Sequence, residues 1–442
     1  MYTAAQTLPR ASRGAIPAWG LGVVLSPLQG LIAAPALLFL ITMALMLFHS
    51  PDSPFPPYDR WFFGLLALVG MLRACILRKP LKLSGRVTWP MSGLLLLALY
   101  DVLAQPYQAE TWSMFAAKWL VPFVLYELAV NIFDNDQSLR QFETFSLFIL
   151  AYLCLIAILF MVDLKAFVFP RYILDENLGI HADRARGPFL QAVANGVTVN
   201  LLGLLALNSY RRKRLKGVPA FLLLSALPLA ILATRTRAVW VSFAGSILIL
   251  LFFFPARRLR RACIAIVVAG ALGLAMLLVL ADHHRSLNER LEESGPVKFR
   301  MAVYEAGWEM FLMKPLTGWG GRAMQAELSS RISDFHQERY YFHNTYLEIL
   351  VQYGVIGLGL YLWMVIDLFR LGRKWRPNFA AANTFLDEQF RLLWPVMVIV
   401  YLINGSFVVM NYQFVNGFLF TLAGMLVAQN RLYAQEVDAP RN

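Results

Sequence analysis

Apolar residues recur along the chain in twelve long stretches, near 28–48, 59–77, 88–104, 112–133, 142–163, 190–209, 217–234, 237–254, 262–281, 344–371, 390–410 and 413–430. About 20 apolar residues in helical form span a bilayer core, so each stretch predicts a transmembrane helix. The one long hydrophilic segment, 282–342, shows no alternating strand pattern. Within it, Arg300, Met301, Val303, Tyr304, Trp308, Phe311 and Leu312 have the spacing of an amphipathic helix over 300–313. Lys314-Pro315 stops that helix, and Gly318-Trp319-Gly320-Gly321 predicts an irregular turn. The expected fold is an all-α polytopic membrane protein of about twelve transmembrane helices, in three parts. Residues 1–281 carry nine helices with short loops, 282–342 form a small helical subdomain, and 343–442 carry three helices and a tail.

Composition agrees: 58% of the 442 residues are hydrophobic and only 15% are charged, whereas a soluble domain carries about 25% charge. Cys75, Cys154 and Cys263 lie far apart in apolar stretches, so neither a disulfide nor a metal cluster is expected. The excess of 40 Lys+Arg over 27 Asp+Glu speaks first of orientation. Alternate loops are strongly basic: Arg78 to Arg86, Arg211 to Lys216, Arg257 to Arg261, and Arg370 to Arg376. Placing these in the cytoplasm puts both termini there, the amino-terminal one, with Arg10 and Arg13, as a retained tail and not a cleaved signal. The segment 282–342 then faces the other side.

On that other side arginines oppose the orientation signal, which asks for another role. Arg184 and Arg186 precede the span at Leu190, and Arg235 and Arg237 form the tight turn Thr234-Arg235-Thr236-Arg237. Each guanidinium can fork onto two phosphate oxygens, and two such pairs in short loops favour an anion site over lipid anchoring. Of six histidines, His343 opens the stretch His343-Asn344-Thr345-Tyr346-Leu347-Glu348. On a helix it sits at the outer end with Tyr346 and Leu347 one turn below, while Glu348 points elsewhere. A neutral imidazole at that boundary suits removal of a proton from a sugar hydroxyl; its bland alternative is a helix cap. Adjacent His283-His284 lacks metal-ligand spacing. Lys118, about two turns inside the fourth span, is placed to reach an outer cavity, while Arg73 and Asp367 are expected to snorkel. Asp134-Asn135-Asp136 has the D-x-D form used to hold a divalent ion on a nucleotide sugar, but falls in a cytoplasmic loop and reads as punctuation.

These residues resemble the O-antigen ligase and polymerase superfamily of membrane glycosyltransferases. The likeness rests on His343-Asn344-Thr345-Tyr346-Leu347-Glu348 with Gly354 and Gly357, on Arg184-x-x-Gly187-x-Phe189, and on Thr236-Arg237. Arg300 followed by Trp308 and Pro315-Leu316-Thr317-Gly318-Trp319-Gly320 completes it, so the match covers about 180–360. An Asn-Pro-Asn-like element common in the family is reduced to Asn195, and Arg184 and Arg186 compete for one family arginine.

The resemblance implies a GT-C-like architecture in the bacterial inner membrane with a periplasmic active site. It implies ligation of O-antigen from undecaprenyl pyrophosphate onto lipid A-core, by inversion and without a cofactor or metal. His343 is the implied base; Arg184, Arg237 and Arg300 hold the pyrophosphate, assisted by Arg186 or Arg235, with Lys118 and Tyr346 lining the cavity. The partners are the two lipid-linked glycans and membrane lipids, with no nucleic acid. Three rivals stay open: a polymerase or protein O-oligosaccharyltransferase of the same superfamily, a lipid-linked oligosaccharide flippase, and a cytoplasmic nucleotide-sugar transferase.

Overall fold

A helix coincides with each of the twelve predicted apolar stretches. The computed structural model describes residues 34–49, 56–76, 85–279, 295–332, 341–373 and 383–438. The amino-terminal tail with Arg10 and Arg13, the pair His283-His284, and His336 lie outside the described residues. In chain order the helices are α1 Pro35–Leu47, α2 Tyr58–Ile76, α3 Thr88–Leu103, α4 Ala109–Ile132, α5 Asp136–Met161, α6 Ala192–Arg211 and α7 Gly217–Ala233. There follow α8 Arg237–Phe253, α9 Arg257–Val279, α10 Gly295–Met313, α11 Gly321–Arg331, α12 Thr345–Arg373, α13 Phe390–Gly405 and α14 Gln413–Asp438. No strand occurs among the described residues. Among the described residues, five helices (α4, α5, α6, α9 and α12) are long and apolar enough to cross a membrane. The chain is an all-α membrane protein.

The loops gather at two ends of the bundle. At one end, the Ala185 amide donates to the Ala233 carbonyl (3.1 Å), Tyr172 Oη to Phe48 and Pro188 carbonyls, and Thr345 Oγ1 to the Val408 carbonyl (2.8 Å). At the other, Asn208 donates to the Phe385 carbonyl (2.7 Å), and Arg212 pairs with Glu143 (3.4 Å). Arg211, on the last turn of α6, pairs with Asp387. Asp367 does not snorkel: it is 2% exposed and pairs with Arg370 at 3.1 Å.

Helix α6 runs through the middle, buried from Ala192 to Ser209. Small residues permit this. A Cβ on Gly196 would lie 2.5 Å from Val239 of α8, and one on Gly203 would lie 2.9 Å from Leu227 of α7. Its Asn200 finds partners on α8: it accepts from Ser246 and donates to Ser242.

In the segment 295–332 the helix expected over 300–313 lies within the longer α10, and α11 is a helix the sequence pattern did not predict. α10 ends at Met313, and Gly318 (φ 70°) and Gly320 (φ 71°) shape the turn before α11. Val303, Met310, Met324, Leu328 and Phe342 form a small separate core that closes on Val351 of α12. Unlike the continuous span read from sequence, α12 is broken at Gly354 (φ 65°). The turn docks at the break: Trp319 and Gly320 amides donate to Val351 and Gln352 carbonyls (both 3.0 Å), and the Val355 amide to Pro315 (2.8 Å). A Cβ on Gly354 would lie 2.2 Å from the Leu316 oxygen, so glycine is needed for both its φ and its space.

Candidate active site

His343 is not on a helix. It precedes α12 by two residues with φ 50°, so the helical-wheel placement expected for it does not apply. Its neighbours explain why the chain turns there. Asn344 Oδ1 accepts from the Tyr346 and Leu347 amides (3.0 and 3.1 Å), capping the first turn of α12. Thr345 Oγ1 donates to the Val408 carbonyl and accepts from the Met410 amide, fixing the connection between α13 and α14. Tyr346 Oη donates to the Leu402 carbonyl (2.8 Å), and Glu348 pairs with Lys118 (2.6 Å). The polar residues after His343 are thus committed to holding the segment. The imidazole itself is half-buried, edge-on to Phe299 (6.1 Å between ring centroids), and makes no hydrogen bond among the described residues.

Burial pushes the His343 pKa down to about 4, helped by the nearby charges of Arg300 and His181. The ring is therefore neutral at physiological pH and sits in a positive local field. Arg300 comes from α10 and His181 from the loop before α6, so charges from two segments distant in sequence act on this ring. Sequence reasoning gave His181 no role; an isolated loop histidine offers no periodic signal.

The loop carrying His181, Arg184 and Arg186 is itself tied to the Arg235–Arg237 turn through the Ala185–Ala233 hydrogen bond. Asn195 of α6 donates to the Ala185 carbonyl (2.8 Å) and packs where a Cβ on Gly187 would fall, at 2.7 Å. Arg186 is 1% exposed and donates from Nε to the Ile173 carbonyl (3.0 Å), and from its two terminal nitrogens to Leu178 and Asp175 carbonyls. Burial lowers its pKa, against the pull of Asp175, Glu176 and Asp183, yet a guanidinium stays charged. Its donors are turned inward, which makes it a clasp of the loop. Arg184 is half-buried, 3.9 Å from Asp183. Arg237 is exposed at the first position of α8, and Arg235 lines a cavity of about 600 Å³ with Trp240, Leu274 and the carboxylates of Asp163, Glu176 and Asp183.

Among the described residues, six non-glycine residues have a left-handed φ, and five of them (Asp163, His181, Leu190, Arg235 and His343) lie at this end of the bundle. Each such residue costs about 1–3 kcal/mol and persists only where its surroundings over-determine it, a pattern common at functional sites.

Lys118 sits on a π-helical turn, Ala116–Leu120, inside α4 and lines a second cavity with Glu348. Tyr346 packs against Tyr361 (5.9 Å). The Asp134-Asn135-Asp136 element is a helix cap at the far end: Asn135 accepts from the Ser138 amide, and Asp136 pairs with Arg140.

Residues 219–362 match the family described as O-antigen ligase. That segment is similar to the O-antigen ligase superfamily. The matched segment is roughly a third of the chain and runs from α7 into α12, so it includes Arg235, Arg237, Arg300 and His343. Arg184, Arg186 and Lys118 lie before it. Comparison with curated proteins finds no match. The apolar helices fit a multi-pass membrane protein, and the matched segment is similar to O-antigen ligases.

Proposed function

We propose that the protein is an O-antigen ligase, transferring glycan from undecaprenyl pyrophosphate to lipid A-core at the periplasmic face of the inner membrane. The observation that carries this reading is the neutral imidazole of His343 held beside Arg300 and His181, in a positive field with no hydrogen-bond partner among the described residues. Such a group is a base waiting for a proton, next to a charge that favours an anion.

In this mechanism the acceptor hydroxyl gives its proton to an imidazole nitrogen of His343 as its oxygen attacks the anomeric carbon. The bond from that carbon to the pyrophosphate oxygen breaks on the opposite face, and its electron pair leaves with the phosphate. Configuration inverts. Arg184, Arg237 and Arg300 hold the diphosphate as charge develops, an electrostatic role fixed positions serve well. Arg186, turned inward, keeps the loop in shape. The diphosphate in turn offsets the field of Arg300, raising the proton affinity of His343 when it is needed. The proposed organisation keeps twelve spans in a GT-C-like bundle, with both termini cytoplasmic and 282–342 as a periplasmic subdomain over the site.

The test is ligation by purified protein with undecaprenyl-pyrophosphate-linked glycan and lipid A-core in detergent containing EDTA. Ligated product that disappears in His343→Ala supports the reading. Dependence on manganese and a nucleotide sugar overturns it. In a deletion strain, lipopolysaccharide bearing single-repeat caps instead marks a polymerase, and unglycosylated pilin marks a protein oligosaccharyltransferase.

A further inference from the structure

We propose that the cavity enclosed by α3, α4, α11 and α12 is a carbohydrate-binding chamber that holds the acceptor sugar against His343; the choice of acceptor rests on the ligase reading. The cavity encloses about 400 Å³, within the range of small-ligand sites. It opens beside the His343 segment, since Tyr341 and Glu348, on either side of His343 in the chain, both line it.

Its frame is rigid. Asp101 of α3 accepts from the Gly321 amide (2.7 Å), Gln352 (2.9 Å) and Gln105 (2.8 Å), binding α3, α11 and α12 together. Lys118 and Glu348, with side chains 9% and 13% exposed, join α4 to α12. The π-turn that presents Lys118 is a local departure of a kind frequent at functional sites.

The rest of the lining suits a sugar. Trp119 and Tyr353 supply aromatic surface, and Glu110, Arg322 and Gln325 supply polar groups from α4 and α11. Gln325 Oε1 is buried and accepts no hydrogen bond among the described residues, an acceptor open to a hydroxyl. Asp101, Glu110 and Glu348 outnumber Lys118 and Arg322, so a diphosphate gains nothing here, in contrast to the positive field at His343. Uncharged hydroxyls, which both donate and accept, match such a lining. The acceptor hydroxyl would enter from this side and the diphosphate from the arginine side.

The test uses Gln325→Ala and Glu110→Ala, on separate helices, with thermal unfolding to confirm the fold. Core oligosaccharide freed of lipid is titrated into the purified full-length protein by calorimetry. Each variant is expected to weaken binding about five- to tenfold, the loss of one hydrogen bond, and to raise the KM for lipid A-core alike while the donor KM stays unchanged. Wild-type binding in both variants, or a change confined to the donor KM, overturns the chamber even where ligation proceeds. Binding that the variants weaken, in a wild-type protein that forms no ligated product, keeps the chamber and overturns the ligase reading.

Discussion

Replacing Arg300 with Gln should move the acid limb of the pH–rate profile upward. His343 lies at about 4, and a fall from 6.5 to that value corresponds to roughly 3 kcal/mol in favour of the neutral ring. Burial is the largest cause and Arg300 the next, so removing the guanidinium restores a minor part, about one pH unit or less. The sign follows from charge: without a neighbouring cation the imidazole protonates more readily, and the base is lost at a higher pH. The assay is kcat/KM for ligation between pH 4 and 8, which reports the free enzyme. Wild type should keep its base form far below pH 6.5, and Arg300→Gln should lose it sooner, on top of any uniform drop from weaker diphosphate binding. The limb in kcat should sit above that in kcat/KM for wild type, because bound diphosphate screens Arg300. A wild-type limb near 6.5, or a variant limb that stays put or moves down, would refute the assignment of His343 as a base in the field of Arg300.

Four further outcomes can be checked. His343→Ala should lower the ligation rate by about 10²–10⁴-fold with an unchanged unfolding temperature, since no hydrogen bond among the described residues is lost; a folded variant with normal ladders on a lipopolysaccharide gel would end the assignment. Arg186→Ala should unfold at lower temperature, by about 3 kcal/mol or more, because three carbonyls of one loop lose a buried charged donor, and Arg186→Lys should not rescue it; normal stability with weakened donor binding would make it a phosphate ligand after all. Lys118→Met should destabilise by about 3–5 kcal/mol through the stranded Glu348, and Lys118→Met with Glu348→Gln should recover most of it in a thermal melt. Gly354→Ala should expose the 313–321 turn to limited proteolysis, since the new Cβ collides with the Leu316 carbonyl; a wild-type digestion pattern would contradict the docking.

Much of the fold was legible because lipid and water impose simple rules. Helix positions followed from apolar length, and the stop at Lys314-Pro315 and the turn at Gly318–Gly321 followed from backbone chemistry. His343 was found as a motif, but its setting was not: it lies outside α12 in a left-handed conformation, which a helical wheel cannot represent. The arginine pairs were also visible, yet their inequality was hidden. Arg186 closes onto the carbonyls of 173–178 and Arg237 is exposed, though both read alike as short-loop cations.

The sequence by itself determined the class of solvent, the placement of the long apolar helices, and the residue types on hand for chemistry, because these depend on composition and on neighbours a few positions apart. Only the tertiary structure decided which of those residues meet. Lys118 and Glu348 stand 230 positions apart and share a proton-bearing contact, and His343 acquires its low proton affinity from burial and from Arg300 and His181 on other segments. Electrostatic fields and burial depend on distance through space, which local sequence pattern does not encode.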